Sequence, residues 1–201
     1  MADIEITIDG GTQKRLLTAG KYCDRNILVT ATGGEGAEDI ILSRQITGIY
    51  RNDRITILGP QALADCAKLE GVDFPHVTSI NFGALQNTTM LTSVSIPATK
   101  KLENQVFFGC VNLKQISLPK IISIGYACFQ NCTALVALVL PGETVCAVSS
   151  VTILSNTPIA SGTGYIYVPS VLIEQYKVAT NWVTYADQFR AIEEYPEITG
   201  G

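Results

Sequence analysis

The sequence has little charge and no long apolar run. Only 16% of its 201 residues are charged, and 14 Lys and Arg against 18 Asp and Glu leave a net charge of −4. Intrinsic disorder is excluded, because it requires low hydrophobicity and high charge, whereas 47% of this chain is apolar. The acidic balance argues against a nucleic-acid-binding domain, which needs a basic surface. The longest apolar run, residues 134–140, is far shorter than the roughly 20 residues that span a bilayer.

Targeting and metal-binding motifs are scarce as well. The first residues have neither the basic nor the apolar stretch of a secretory signal peptide, so none is predicted. None of the six cysteines belongs to a Cys-x-x-Cys pair, which argues against zinc ribbons and thioredoxin-like motifs. Two interpretations of the cysteines remain. The first is burial as small apolar side chains. The second is a zinc site with the ligands Cys110, Cys128, Cys132 and Cys146.

What the sequence does contain is a repeat of 22 residues. Four prolines recur at this interval, and apolar columns keep the same phase over residues 54–75, 76–97, 98–119 and 120–141. Columns that hold their phase over four units, with no insertion, predict a repeat architecture. The clearest columns are Pro75, Pro97, Pro119, Pro141; Leu69, Leu91, Leu113, Leu135; Leu63, Leu85, Phe107, Phe129; and Leu58, Ile80, Leu102, Ile124.

Each unit is expected to contain a short strand and a short turn. Val94 and Ile96 lie two residues apart and therefore share one face of a strand, while Ser95 points the other way. Pro97 lacks an N–H group and ends the strand. One unit cannot bury its apolar face alone, but units stacked at the ~4.8 Å strand spacing do so. The sequence therefore predicts a solenoid with a continuous core and a parallel sheet along one side.

The repeat also gives most cysteines a structural place. One interior column contains three cysteines and a threonine, and a neighbouring column of small residues ends in Cys128, so burial is predicted for these side chains. A disulfide between Cys110 and Cys132 on adjacent units is the alternative, and Cys23 lies outside the repeats. The two columns are Cys66, Thr88, Cys110, Cys132 and Ala62, Ala84, Val106, Cys128.

Residues 124–141 read Ile-Gly-Tyr-Ala-Cys-Phe-Gln-Asn-Cys-Thr-Ala-Leu-Val-Ala-Leu-Val-Leu-Pro. This segment resembles the repeat of the BspA-type leucine-rich repeat family, roughly I-G-x-x-A-F-x-x-C-x-x-L-x-x-V-x-L-P. Other units depart from it where Asn81 and Glu103 replace the glycine and Thr88 replaces the cysteine. The resemblance implies a leucine-rich repeat solenoid of the α/β repeat class, mainly β with short helical or 3-10 turns. It also implies a surface or secreted protein that binds partners rather than an enzyme.

Residues 1–32 differ from the repeats and predict a small N-terminal β module. Ile4, Ile6 and Ile8 alternate with polar residues, as in a half-buried strand. The glycine-rich residues 33–39 predict a linker. The segment 18–27 resembles short β modules of phage and prophage structural proteins. That second resemblance implies a tail-associated protein and a homo-oligomer formed through this module.

The solenoid is predicted to extend over residues 40–201, around the regular repeats 54–141. A degenerate leading unit is expected to contain strands near 40–42 and 55–58, and residues 142–201 are expected to form a helical C-terminal cap. An aromatic stripe in this cap is interpreted as cover for the last unit. The pattern predicts strands at 151–154 and 165–168, a helix from Val171 with Ser170 as N-cap, and a second helical piece with Trp182, Tyr185, Phe189 and Ile192.

Residues for catalysis are few. His76 is the only histidine, and its place after Pro75 favours a solvated turn residue over a catalytic base. The repeats contain four carboxylates, none of which recurs on neighbouring units, which argues against a glycosidase cleft. Residues 33–36 are rich in glycine but lack the lysine of a phosphate-binding loop. The sequence therefore predicts no catalytic, metal-binding or cofactor-binding residue.

The remaining candidate site is the face of the strands opposite to the core. Its columns are small and mostly uncharged, and they become apolar at Ala137 and Val139. Such a flat, repeated face suits contact with a protein or a glycan on a cell surface, and a plain solvated sheet is the alternative. The candidate binding residues are Glu70, Asp73, Ser93, Ser95, Gln115 and Ser117.

Three functional hypotheses follow. The first is a non-enzymatic recognition module, associated with a phage or prophage tail and contacting a host cell surface. The second is an adhesin-like leucine-rich repeat protein of a bacterial cell surface, and the third is an enzyme with an unrecognised site. The first two favour a virion-associated or extracellular location, and none of the three involves nucleic acid or a membrane span.

Overall fold

The structure, a computed structural model, describes residues 47–199 and, before them, the backbone of four strands. The first two strands form an antiparallel hairpin, as the alternating isoleucines of this segment predict. The linker predicted over 33–39 and the strand predicted near 40–42 lie outside the described residues, and a separate module over 1–32 stays a prediction. The four strands are Ala2–Ile8 (β1), Gly11–Leu17 (β2), Cys23–Asp24 (β3) and Ile27–Leu28 (β4).

Two stacks of short parallel strands run along the solenoid. The front strands form a three-stranded and a four-stranded sheet, and the rear strands continue from β3 and β4 in one seven-stranded sheet. The front strands are Gly48–Arg51 (β5), Leu69–Asp73 (β7), Ser93–Ser95 (β9), Gln115–Ser117 (β11), Ala137–Val139 (β13), Tyr165–Val168 (β15) and Phe189–Ala191 (β16). The rear strands are Ile57–Leu58 (β6), Ser79–Ile80 (β8), Lys101–Leu102 (β10), Ser123–Ile124 (β12) and Ala147–Val148 (β14).

The strand register confirms the predicted parallel stacking. Where strands of the regular repeats pair, each residue pairs with the residue 22 positions further on, as Val72 does with Val94 and Ile116 with Leu138. Between β9 and β11 the front ladder is interrupted, so the front strands form two sheets. On the rear side Leu58 pairs with Ile80 in the same way. The repeat length therefore equals one complete turn of the solenoid, which places every column of the sequence in a straight row.

Turn segments form the third side of the solenoid, and backbone hydrogen bonds join them as well. The N–H groups of Gln61, Leu63 and Asp65 donate to carbonyl groups of the next turn at 2.9, 2.7 and 2.8 Å. Each regular turn contains two residues in the left-handed conformation, and both positions recur every 22 residues. They are Gln61, Gly83, Gln105, Ala127 and Asp65, Asn87, Gly109, Asn131, with φ between 52° and 73°.

The core is the predicted set of columns. The leucine and phenylalanine columns are fully buried, and the rings of Phe107 and Phe129 stack with centroids 5.5 Å apart and planes 4° from parallel. The five cysteines with described side chains are buried, which confirms their packing in the core, and no disulfide joins Cys110 to Cys132. No cluster of potential metal ligands is found among the described residues, so the zinc alternative has no support there.

After Pro141 the solenoid continues with longer turns. Ile124 pairs with Val148, 24 positions on, and Leu138 pairs with Ile166, 28 positions on. The strand predicted at 165–168 is confirmed as β15. The strand predicted at 151–154 is wrong, because Val151–Leu154 form a 3-10 helix that Ser150 caps by accepting a hydrogen bond from the Thr152 N–H at 3.1 Å.

The helical predictions for the C-terminal residues also need correction. Ser170 does not cap an α-helix: it begins the 3-10 helix Ser170–Leu172, and the α-helix α1 follows over Ile173–Val178. The piece predicted to extend to Ile192 is interrupted, because Phe189–Ala191 pair with β15 as strand β16. In the described part of the chain no helix has the length and apolarity to cross a membrane. Further 3-10 helices are Val183–Gln188, Ile192–Glu194 and Pro196–Thr199.

Candidate functional site: the front face

The front face is formed by the outward side chains of the front strands. The register within each front sheet, and the 22-residue spacing between β9 and β11, place these side chains in two rows that run along the solenoid. The first row is Ile49, Gly71, Ser93, Gln115, Ala137 and Tyr165, and the second row is Arg51, Asp73, Ser95, Ser117, Val139 and Tyr167. Five of the six candidate residues, all except Glu70, lie in these rows.

Glu70 departs from the rows because the strand is irregular there. Gly48 pairs with Leu69 and Ile49 with Gly71, so Glu70 is the extra residue of a β-bulge. Its side chain is exposed at the start of β7, and its carbonyl oxygen accepts hydrogen bonds from the N–H and the hydroxyl of Thr92, at 2.8 and 3.2 Å. Glu70 therefore lies at the rim of the front face and not on its floor.

The open part of the face has a low floor of small side chains. Ser93, Ser95 and Ser117 are exposed. A methyl group added at Gly71 would come within 3.1 Å of the Ile49 side chain and within 3.2 Å of Ser93, so the strands leave little room for a larger residue. Serine hydroxyls donate and accept hydrogen bonds. This part of the face can therefore form hydrogen bonds with a flat ligand that contacts several strands at once.

One ion pair borders the open part. Asp73 lies 3.7 Å from Arg51 on the neighbouring strand, and the Arg51 side chain is 68% exposed. An exposed pair of this kind adds little stability, because water screens it. Arg51 is absent from the residues predicted for this face. It lies before the first regular repeat, where the column spacing that identifies the other residues does not apply.

The apolar end of the face is covered, contrary to the expectation of a continuous contact surface. Ala137, Val139 and Tyr167 are buried under residues 192–198, called the tail below. At the boundary, the Gln115 side-chain amide donates to the carbonyl oxygen of Ile198 at 2.8 Å. The open face therefore ends at β11, and the outward side chains of β13 and β15 contact the tail.

A shallow groove on the rear side is a weaker candidate. It has a volume of about 370 Å³ and lies across β10, β12 and β14. Three of its polar side chains are engaged within the fold: Lys101 pairs with Glu103 at 3.1 Å, and Glu103 and Asn104 accept backbone N–H groups of the adjoining turns. The charged groups of the groove therefore already have partners within the chain.

The buried thiols and the single histidine do not form a reactive site. Burial raises the pKa of the Cys132 thiol to about 12, and the Cys110 pKa is raised well above its ordinary value for the same reason. Both thiols donate hydrogen bonds to carbonyl oxygens of the preceding turn. A protonated, buried thiol is a poor nucleophile. His76 lies exposed in the turn after β7.

Comparisons with solved structures show the same fold. A leucine-rich repeat protein of T. pallidum is similar at 20% identity and a TM-score of 0.50, over 74% of this chain and 61% of that one. A leucine-rich repeat protein of Bacteroides ovatus matches at 19% identity and a TM-score of 0.57, over 73% and 36%. A leucine rich cell surface protein of Faecalibacterium prausnitzii matches at 17% identity and 0.55, over 90% and 41%.

This chain thus spans between about a third and three fifths of the length of these similar proteins. No curated protein sequence matches it. The family comparison is more specific, because the model described as BspA type leucine rich repeat region matches residues 42–159 with six copies. This range includes all four units found by their 22-residue spacing, together with the neighbouring turns. The chain belongs to the BspA-type leucine-rich repeat family.

Proposed function

We propose that this chain is a non-enzymatic binding module that contacts a protein or glycan of a cell surface through the open part of its front face. The observation that carries the proposal is the group of exposed serines on two consecutive units, Ser93 and Ser95 on β9 and Ser117 on β11. A repeated, mostly uncharged surface of this kind provides hydrogen bonds to an extended ligand. It provides no general acid, base or nucleophile at catalytic spacing.

The cell-surface setting has independent support. One protein of similar fold is described as a leucine rich cell surface protein, and repeat solenoids use their extended faces for binding. Within this proposal, residues 142–201 act as the cap of the solenoid, and the N-terminal module proposed over residues 1–32, of which β4 already pairs with β6 of the rear sheet, forms a homo-oligomer. The phage or prophage association stays a prediction without support, since neither the matched family nor the similar structures point to it.

The first test compares substitutions on opposite sides of the solenoid. In the double variant Ser95→Arg and Ser117→Arg, two long charged side chains would stand on the open face, whereas Ser149→Arg adds the same group at an exposed position beyond β14. The purified chains are applied to a glycan array and to intact bacterial and epithelial cells, with binding measured by fluorescence. We expect the double variant to bind at least ten-fold more weakly than the native chain, and Ser149→Arg to bind equally well.

Three outcomes would contradict the proposal. If the native chain binds no glycan and no cell, the binding function itself is wrong. If both variants bind as the native chain does, the ligand contacts another surface. If Ser149→Arg alone weakens binding, the ligand occupies the rear groove, which Ser149 lines. Circular dichroism and thermal unfolding of all three chains separate a lost contact from a lost fold.

A further inference from the structure

The tail has a regular three-residue pattern. The side chains of Ile192, Tyr195 and Ile198 are half-buried, and the residues between them are exposed. The tail contains the 3-10 helix Ile192–Glu194 and most of the 3-10 helix Pro196–Thr199, which are separated by the non-helical Tyr195. Its three half-buried side chains pack on the same apolar cluster, which makes the tail an amphipathic segment with an apolar stripe.

The apolar stripe packs against the outward side chains of β13 and β15, at the covered end of the front face. It covers Ala137 and Val139, and the rings of Tyr195 and Tyr167 meet edge to face with centroids 5.2 Å apart. Tyr165 extends this surface and carries the guanidinium of Arg190 4.1 Å from its ring centre. The surface under the tail is therefore aromatic at one end and aliphatic at the other.

The polar side of the tail is acidic. Glu193, Glu194 and Glu197 are exposed, and Glu193 accepts hydrogen bonds from the N–H group and the hydroxyl of Ser170, at 3.1 and 3.3 Å. Its hydrogen bonds lower the pKa of the Glu193 carboxyl. The tail thus combines three apolar anchors with acidic residues between them.

The tail is joined to the solenoid without a strand ladder. Pairing with the solenoid sheet ends at Ala191, so the described tail residues have no ladder to β15. In place of a ladder, the Gln115 side chain donates to the Ile198 carbonyl group, and the N–H and hydroxyl groups of Ser170 donate to the Glu193 carboxylate. Segments with few buried contacts and few long-range hydrogen bonds open at lower free energy than core strands.

We propose that the covered end of the front face is a peptide-binding surface, which residues 192–198 occupy in cis. The ligand it fits is a short acidic polypeptide with an apolar residue at every third position and an aromatic residue in the middle. Such a ligand displaces the tail and extends from the outward residues of β13 and β15 onto the serines. These outward residues are Ala137, Val139, Tyr165 and Tyr167. The proposal rests on the proposed function, since it names the partner class for the same face.

A synthetic peptide with the sequence of residues 192–201, labelled with fluorescein, serves as the probe. It is titrated into the full native chain and into a full chain with Tyr195→Ala and Ile198→Ala, and binding is followed by fluorescence anisotropy. A tail in cis competes with the peptide at high effective concentration. We expect the double variant to bind the peptide at least ten-fold more tightly than the native chain. Glu194→Ala, which keeps all three anchors, serves as the matched control and should bind as weakly as the native chain.

A peptide in which Tyr195 and Ile198 are both replaced by alanine should bind neither chain. Equal binding of the native peptide to all chains would overturn the proposal. A dimer of the native chain in size-exclusion chromatography that dissociates on adding the peptide would also overturn it, because the surface would then serve self-association. Neither result bears on the variants at Ser95 and Ser117, which probe the open rows.

Hydrogen–deuterium exchange of the native full chain keeps the proposal testable if the double variant does not fold. The N–H groups of Tyr195 and Ile198 bond within the tail, whereas that of Tyr165 bonds to Val136 in the adjoining unit. We expect the tail amides to exchange at least ten-fold faster than those of β15. Exchange as slow as that of β15 would show a permanent cap and would overturn the proposal.

Discussion

At the scale of single residues, Gly125 has a role that its column does not reveal. Asn81 and Glu103 occupy the equivalent positions of earlier units. At Gly125, however, a β-carbon would lie 2.5 Å from the backbone nitrogen of Asn104 and from the carbonyl carbon of Glu103. The two units approach too closely here for a side chain, because Asn104 turns its side-chain oxygen onto the N–H of Tyr126 at 3.0 Å.

We therefore expect Gly125→Ala to destabilise the chain. Backbone atoms cannot move aside as a flexible side chain can, and overpacking of this kind costs about 1–3 kcal/mol. Urea unfolding followed by circular dichroism measures the free energy of unfolding. Gly142→Ala is the matched control, since its β-carbon would have no neighbour closer than 3.7 Å, and it should change that free energy by less than about 0.5 kcal/mol. Equal effects of the two substitutions would contradict this account.

At the scale of structural elements, the turns share one column of left-handed residues, in which every member except Gly109 has a short polar side chain. Asn87 donates to Asp65 at 3.1 Å, and Asn156 donates to Asn131 at 2.8 Å, so side chains link one turn to the next. Asparagine and aspartate tolerate the left-handed conformation better than other non-glycine residues do. The turns therefore obtain their shape and part of their cohesion from the same residues.

Substitutions at Asn131 separate these two contributions. Its φ is 64°, so Asn131→Ala loses the hydrogen bond to Asn156 and also places an alanine in the left-handed region, which costs roughly 1–2 kcal/mol. Asn131→Gly loses the hydrogen bond alone and keeps the backbone conformation. We expect the alanine variant to be less stable than the glycine variant in urea unfolding. A more stable alanine variant would show that the backbone conformation at Asn131 carries no strain.

At the scale of the whole molecule, one column of buried donors runs through the core. The thiols of Cys110 and Cys132 donate to the carbonyl oxygens of Leu85 and Phe107 at 3.2 and 3.0 Å, and the hydroxyl of Thr88 donates to that of Leu63 at 3.1 Å. The 22-residue spacing predicts the burial of this column, and the repeated hydrogen bond explains why a threonine is accepted among cysteines.

Because of this column, we expect the stability of the fold to decrease at alkaline pH. Burial raises the pKa of Cys132 from 9.0 to about 12. The unfolded thiol therefore loses its proton at a lower pH than the folded one. The stabilisation is complete below about pH 9 and decreases as the pH rises towards 12, by at most about 1.4 kcal/mol per pH unit for each thiol.

Thermal unfolding between pH 7 and pH 11 tests this dependence. We expect a constant Tm up to about pH 8.5 and a decrease above it. Cys132→Thr, which copies the hydrogen-bonding hydroxyl of Thr88, should unfold near the native Tm at pH 7 and show a smaller decrease at high pH. An identical decrease in both chains would assign the effect to other groups, such as Tyr176, whose pKa is also raised to about 12 by burial.

The parts of the fold that were predictable are those with local spacing. The columns that contain Phe107 and Ile116 follow from the 22-residue period, because burial repeats whenever the chain completes one turn. The C-terminal elements were less predictable. Val151–Leu154 are mostly β-branched and apolar, as in a strand, but Ser150 caps them as a 3-10 helix. The N–H groups of Phe129 and Asn131 in the preceding turn donate to the carbonyl oxygens of Ile153 and Ser155. Here tertiary context overrides the local preference.

The sequence by itself determined the solenoid, its core and the location of the front face, because these depend on residues that recur at a fixed spacing. Only the tertiary structure decided how much of the front face is open. The contact between Gln115 and Ile198 joins residues 83 positions apart, and no repeat spacing relates them. The tail covers this end of the face because its three apolar side chains are complementary to the apolar outward side chains of β13 and β15. Such complementarity exists only once both surfaces have folded.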